Sequence, residues 1–268
     1  MADPITTVGL GALAAYLGKD GLEKLLGPTA DYLGSGLKDF TQKRVEAVGQ
    51  IFTSAQGKLG AKADTPGQVP PKVLKSVINE GSYASDPLAV EYFGGILASA
   101  RTEGGRDDRS ARLAKIVDSL STYQLRAHFL IYATVQRLFM GKNLAFDMEG
   151  RPKMQIFVSF NDFASSMEFD DSEFKQFNQL LNHILFGLHS DNLIEGQFQY
   201  GQKEHMVKLF PAATSGGIVC QPSAHGAELF LSAFGMADRH LDEIFTVDFP
   251  EFPTGLPKGF LAAVPTMN

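Results

Sequence analysis

From Leu22 to Met140 the apolar residues of the chain recur at three- and four-residue spacing, and past Met140 that rhythm breaks. A period near 3.6 lays one apolar stripe along an α-helix, whereas a strand half-buried in a sheet needs alternation. The chain therefore reads as mainly α with a small α+β part. Its 268 residues are enough for two compact domains, or for one domain with an elaborate extension.

The helical stretch is divided by recognisable start signals. Residues 5–18 are small, apolar and glycine-rich, and KDGLEKLLG follows; the two predict short, buried helices. After Gly27-Pro28, the spacing of Leu33, Leu37, Phe40, Val48, Ile51, Phe52 and Leu59 predicts one long amphipathic helix as far as Gly60. The Gly34-Ser35-Gly36 triplet inside it marks close packing. Pro71 suits the first position of a helix through VLKSVINE, and Asp86 with Pro87 opens a helix carrying Leu88, Val90, Phe93, Ile96 and Leu97. The Gly94-Gly95 pair in that helix signals a close neighbour. ARLAKIVDSL comes next, then a Ser121/Gln124 capping box opens YQLRAHFLIYATVQRLF.

Beyond Met140, MGKNLAFDMEGRPK reads as turns and MQIFVSF as a strand, with Asn161 capping a short helix through FASSM. A helix from Asp171 carries Phe174, Phe177, Leu180, Leu181, Ile184 and Leu185 toward a core. Then come a strand EGQFQYG, a turn at 201–204, a second strand HMVKLF, a third short apolar piece GIVCQ and a closing helix AHGAELFLSAFG. Helices, hairpin and final helix in this order predict a winged-helix-like module. Pro250, Pro253, Pro257 and Pro265 mark an extended tail, incompatible with a regular helix or a central strand. The expected layout is an N-terminal helical domain over 1–104, a winged-helix-like module over 105–244 and a proline-rich, extended C-terminal docking tail over 245–268.

Formal net charge is -6, which disfavours the whole protein as an electrostatic partner of nucleic acid or anionic lipid. The imbalance is concentrated in 161–195, where Asp162, Glu168, Asp170, Asp171, Glu173, Asp191 and Glu195 face one base, Lys175. A local basic excess lies in 101–126. Cys220 is the one cysteine, so an internal disulfide is impossible and a reducing cytoplasm is the expected location. The uncharged stretch 5–18 is shorter than the ~20 residues a spanning helix requires, so no transmembrane helix is expected.

Three segments carry a family resemblance. They are LLGP at Leu25 to Pro28 before a long helix, PPKVL at Pro70 to Leu74 opening another, and GILA at Gly95 to Ala98 after a serine-rich turn. In this order they resemble the Abi-alpha family of bacterial abortive-infection proteins, over about Gly21 to Met140. Asn192 to Gly235 looks similar to the family's C-terminal half; Tyr92-Phe93 stands where the family's small-residue helix carries tryptophan, and Ser223 stands where threonine precedes its final helix. The resemblance implies defence against phage by arresting or killing the infected cell. It implies no catalytic residues.

Two groups of residues stand out as candidate surfaces. Gly9, Gly11 and Ala14, which begin a series of small residues continued by Ala15 and Gly18, superficially fit a dinucleotide fingerprint, but PITTV is a poor strand and no βαβ unit follows. Their small-x-x-x-small spacing instead suits close helix packing, which makes Gly9, Gly11, Ala15 and Gly18 an expected assembly surface, or a membrane-active segment when exposed. Arg106, Arg109, Arg112 and Lys115 share one side of a turn and helix start and could meet phosphates or a partner, with Asp107 and Asp108 among them as internal ion-pair partners. In a winged helix the third helix enters the DNA groove. Here that candidate, Asp171 to His189, has one lysine and follows a run of acids, which disfavours sequence-specific nucleic acid and favours protein contact.

No constellation predicts chemistry. His183 and His189 do not share a helix face, and Cys220 with His225 would need two further ligands, so no metal is expected. The IVC context of Cys220 predicts burial rather than nucleophilic reactivity. Asp107-Asp108 and Asp170-Asp171 read as helix caps rather than acid/base pairs. The expected protein is therefore a cytoplasmic antiphage abortive-infection protein without enzymatic activity and without a cofactor. It acts by protein binding and conformational change, contacts a protein partner or phage component, forms a homo-oligomer and reaches a membrane, when active, through its N-terminus. The alternatives are a DNA-binding winged-helix transcriptional regulator and a membrane-disrupting toxin.

Overall fold

A computed structural model describes residues 42–249 and 259–266. The candidate surface of Gly9, Gly11, Ala15 and Gly18 lies outside the described residues, as do the Gly34-Ser35-Gly36 triplet and Pro250, Pro253 and Pro257. In chain order the helices are α1 (Gln42–Leu59), α2 (Pro71–Gly81), α3 (Pro87–Ser99), α4 (Ser110–Ser119), α5 (Thr122–Phe139), α6 (Phe160–Met167), α7 (Asp171–Phe174), α8 (Phe177–Ser190), α9 (Lys203–Leu209) and α10 (Ala224–Ala233). The strands are β1 (Ile156–Ser159), β2 (Gln199–Gly201), β3 (Gly217–Cys220) and β4 (Ala263–Pro265). The described chain is thus mainly helical with one small antiparallel sheet.

The described chain divides into two units, the first taking residues 42–119 together with Leu231–Asp238. In it α1 buries Val48, Ile51, Phe52 and Ala55 in its packing against α3. Pro71 occupies the first turn of α2, and the Asp86 carboxylate accepts the Leu88 N–H at 2.7 Å to start α3, both as the start signals predict. Most of α3 is buried, and its glycine pair explains how: a Cβ at Gly94 would overlap the Ser54 hydroxyl, and one at Gly95 would overlap the Ala233 carbonyl. Helix α4 buries Ala111, Leu113, Ala114 and Val117 and packs on α2 and α3, which places residues 105–119 in this unit.

The second unit holds residues 120–230, 239–249 and 259–266 of the described chain. The Ser121/Gln124 capping box that opens α5 is present in both directions. The sheet order is β2-β3-β1-β4, with Phe157 opposite Val219 and Val264, and Tyr200 opposite Ile218. Pro265 sits on the edge strand β4, where a missing N–H is tolerated.

Four local expectations change in this unit. HMVKLF is not a strand: residues Lys203–Leu209 form α9. Met206, Leu209 and Phe210 stand at helical spacing and all pack against Phe157 and Val219, while Val207 and Lys208 face outward. The expected hairpin partner of β2 is therefore β3 instead. Helix α6 is capped by Ser159 rather than Asn161, since the Ser159 hydroxyl accepts the Asp162 N–H at 3.1 Å. The strand expected over EGQFQYG is confined to Gln199–Gly201. The helix expected from Asp171 is broken at Gln176, whose φ of -106° and ψ of 18° leave the helical region. That break leaves Phe174 on its own turn, 56% exposed instead of facing the core.

Candidate interaction surface

Helix α8 is held at the surface by its contact with α5. A Cβ at Gly187 would overlap the Gln124 amide, and that amide donates to the His183 carbonyl at 3.0 Å. The Ser121 hydroxyl and His183 Nε2 lie 2.8 Å apart, a second tie between the same two helices. Leu181, Ile184, Leu185 and Leu188 form the buried face. Asn178, Gln179, Asn182, His183 and Phe186 form the exposed one, with Phe186 56% exposed and edge-on to Phe198 at 5.3 Å. The Tyr200 hydroxyl of β2 donates to Asn182 Oδ1, so strand and helix share that surface. Helix α8 contains neither lysine nor arginine.

Beside the start of α8 lies a cluster of aromatic rings. Phe177 meets Phe160 at 5.4 Å, Phe174 at 6.0 Å and Phe169 at 6.2 Å between centroids, and Phe169 meets Tyr123 at 6.0 Å. Phe160, Phe169 and Phe177 are half-buried. Asp170 is a helix cap, as its position predicts: its carboxylate accepts the Ser172 and Glu173 N–H groups at 2.8 Å each, and Glu173 accepts the Asp170 N–H at 2.8 Å. Hydrogen bonds from Ser172 and from the Glu173 backbone hold the Asp170 carboxyl below the usual carboxylate range. Glu173 also accepts from the Tyr123 hydroxyl, which raises that phenol's pKa.

Arg106, Arg109, Arg112 and Lys115 are all exposed in the first unit. Arg109 folds back on Asp107, donating from Nε at 2.9 Å and from Nη2 at 2.6 Å, and this pairing holds the Asp107 carboxyl below its ordinary value. Asp108 pairs with Lys72 at 2.8 Å. Arg112 and Lys115 stand one turn apart on α4. The structure thus separates the four cations into two exposed helix residues, one loop residue and one guanidinium engaged in a local ion pair.

The titratable interior is arranged for packing. Cys220 lies buried on β3 and burial pushes its thiol up to about 12, so a nucleophilic thiolate does not form near neutrality. His128 is buried, with Nε2 donating to the Gly226 carbonyl at 3.1 Å, and burial pushes its pKa down to about 3. A groove of about 420 Å³ in the first unit is lined by Arg44, Glu46, Gln50, Ser82, Tyr83 and Ser85, with the Arg44 guanidinium 3.8 Å from the centre of the Tyr83 ring. Among the described residues no group of three histidines, cysteines or carboxylates is gathered as a metal site, and no helix is long and apolar enough to cross a membrane.

No family model, curated protein or solved structure matches the chain. The sequence places one helix with one lysine over Asp171 to His189; the structure divides it into α7 and α8 with Lys175 in the turn between them, and nothing in the sequence announces the aromatic cluster. Its members come from α6, the 168–170 turn, α7, α8 and the start of α5, and a period count treats each element alone.

Proposed function

We propose that this protein is a bacterial antiphage abortive-infection protein that works by protein contact and conformational change, with a winged-helix-like second unit as its contact module. The observation that carries the module is the order α5, β1, α6, α8, β2, β3 with β3 hydrogen-bonded between β1 and β2. In that arrangement α8 is the helix that would read a partner and residues 202–216 are the wing. Groove-reading helices use arginine and lysine for phosphate and guanine, and the outward face of α8 offers asparagine, glutamine, histidine and phenylalanine instead. Five carboxylates between Asp162 and Glu173 precede it in the chain and oppose phosphate. An exposed aromatic beside adaptable amides is the composition of a protein-contact surface.

The cellular role rests on the resemblance to the Abi-alpha family, and Gly95 gives one of its motifs a packing reason: the glycine of GILA is where α3 meets the Ala233 carbonyl. The proposed location is the cytoplasm, with assembly into a homo-oligomer and a membrane route through the N-terminal residues.

The test is phage plating and infected-culture growth at low and high multiplicity, comparing intact protein with Phe186→Ala and with a deletion of residues 1–18. The expected outcome is protection at low multiplicity and culture collapse at high multiplicity, lost in both variants while circular dichroism shows them folded. Absence of protection across a broad phage panel would overturn the defence reading. Duplex binding that weakens steeply with salt would replace it with the regulator, reading Lys203 and Lys208 of the exposed α9 face as phosphate contacts.

A further inference from the structure

The aromatic cluster beside α8 combines three properties that together specify a partner. First, it is accessible: Phe174 is 56% exposed, and Phe160, Phe169 and Phe177 are each open on one side. Second, it is fixed in place. Phe174 closes the one-turn helix α7, whose start is locked by the reciprocal Asp170/Glu173 capping box, so little ordering entropy is lost when a ligand meets the ring. Third, it is electronegative. Glu168 and Asp170 flank Phe169 in the chain, and Asp171 and Glu173 precede Phe174. Lys175 is the one lysine or arginine between Asn161 and Glu195, and Arg126 of α5 is paired with Glu168.

Phenylalanine faces carry negative charge density, and the surrounding carboxylates have the same sign. A purely apolar partner would cover the rings but desolvate the adjacent carboxylates without compensation. An anionic partner is repelled. A lysine or arginine side chain satisfies both demands, laying its methylene stem on a ring and its cationic head toward a carboxylate.

We propose that this face of the second unit docks a basic amphipathic segment of a partner protein, one in which arginine or lysine alternates with apolar residues at helical spacing. The inference deepens the protein-contact reading of the module by naming the chemistry of what it contacts.

The test uses the full chain and fluorescein-labelled helical peptides built from leucine and arginine, with leucine-glutamate peptides of the same pattern as the control, read by fluorescence anisotropy at low and high salt. The leucine-arginine peptide is expected to bind, and more weakly at high salt. Phe174→Ala removes an exposed ring and Asp171→Lys reverses an exposed charge, so both variants should fold; each is expected to weaken binding by roughly tenfold. Lys75→Ala, exposed in the other unit, is expected to leave binding unchanged. Equal affinity for the leucine-glutamate peptide, no binding of either peptide, or affinity insensitive to both Phe174→Ala and Asp171→Lys would each overturn the inference. Phage plating judges the defence reading separately, because protection that depends on Phe186 stands whatever the peptides do.

Discussion

In the first unit, α3 meets residues 231–238 through two small residues: Gly95, where an added Cβ would overlap the Ala233 carbonyl, and Ser99, whose hydroxyl donates to the Ser232 carbonyl and accepts the Ala237 N–H, each at 3.3 Å. In the second unit α5 reaches across to irregular chain with polar side chains: His128 donates to the Gly226 carbonyl, and the Thr134 hydroxyl accepts the Leu261 N–H at 2.7 Å. The Tyr132 hydroxyl lies 2.8 Å from the Leu193 carbonyl and 3.0 Å from that of Ser223, and accepts the Ser223 N–H at 2.9 Å. The contrast follows from what is being packed. Helix α3 satisfies its own N–H and C=O groups, so its contact with the end of α10 asks only for small residues, Gly95 for close approach and Ser99 for the Ser232 carbonyl. The segments around Leu193, Ser223 and Leu261 leave backbone groups that need partners in a dry interior, and α5 supplies them. Small serines and a tyrosine, Tyr92 in the first and Tyr132 in the second, are buried in both units, and Gln124 and His128 are buried in the second.

The largest expected effect breaks the first mode. Gly95→Ala adds one methyl against the Ala233 carbonyl, a backbone atom that cannot rotate away. Overpacking of this kind costs about 3 kcal/mol, outweighing the roughly 1 kcal/mol that alanine gains over glycine inside a helix. Urea unfolding should show a clear loss of stability. An unchanged midpoint would mean that α3 and residues 231–238 are not in backbone contact.

The two modes were not equally legible from sequence. Gly94-Gly95, Asp86-Pro87, Pro71 and the Ser121/Gln124 box are local signals, and each is realised where it is written. The polar ties of the second unit join residues far apart in the chain, such as Tyr132 with Leu193 and Ser223, and no spacing announces them. The same holds for the sheet, where β3 is inserted between β1 and β2 and β4 arrives from the C-terminal tail. For α9 the failure was one of period: over six residues HMVKLF fits alternation nearly as well as a helical face, and only the packing of Met206, Leu209 and Phe210 against Phe157 decides it. Of the candidate surfaces, the arginine series was legible as exposed, together with its internal ion pair, while the ring cluster had to be assembled in three dimensions.

A smaller effect probes the second mode. Tyr132→Phe keeps the ring stacked near His128 and Phe230 but removes the hydroxyl, leaving the Ser223 N–H and the Leu193 carbonyl without their partner. Stranding buried backbone groups costs about 1.5 kcal/mol, below the net of about 2 kcal/mol for Gly95→Ala. Chemical denaturation at neutral pH measures it, and a difference near zero would show that these groups find other partners.

The smallest effect separates the modes by pH. His128 holds its pKa at about 3 in the folded chain, against an ordinary value of 6.5, because burial disfavours the imidazolium and the nearby His225 adds to the depression. The unfolded chain therefore binds the extra proton first. The contribution of neutral His128 is complete above pH 6.5 and is lost as pH falls from there toward 3, by no more than about 1.4 kcal/mol per pH unit. His128→Gln keeps an amide donor for the Gly226 carbonyl but cannot be protonated, so the difference between its stability-pH curve and that of the native chain isolates this residue. Between pH 6.5 and 5.5 the native chain should lose about 1 kcal/mol more than the variant. Parallel curves would mean that His128 is not desolvated in the folded state, and the polar ties of α5 would then be solvated contacts rather than interior ones.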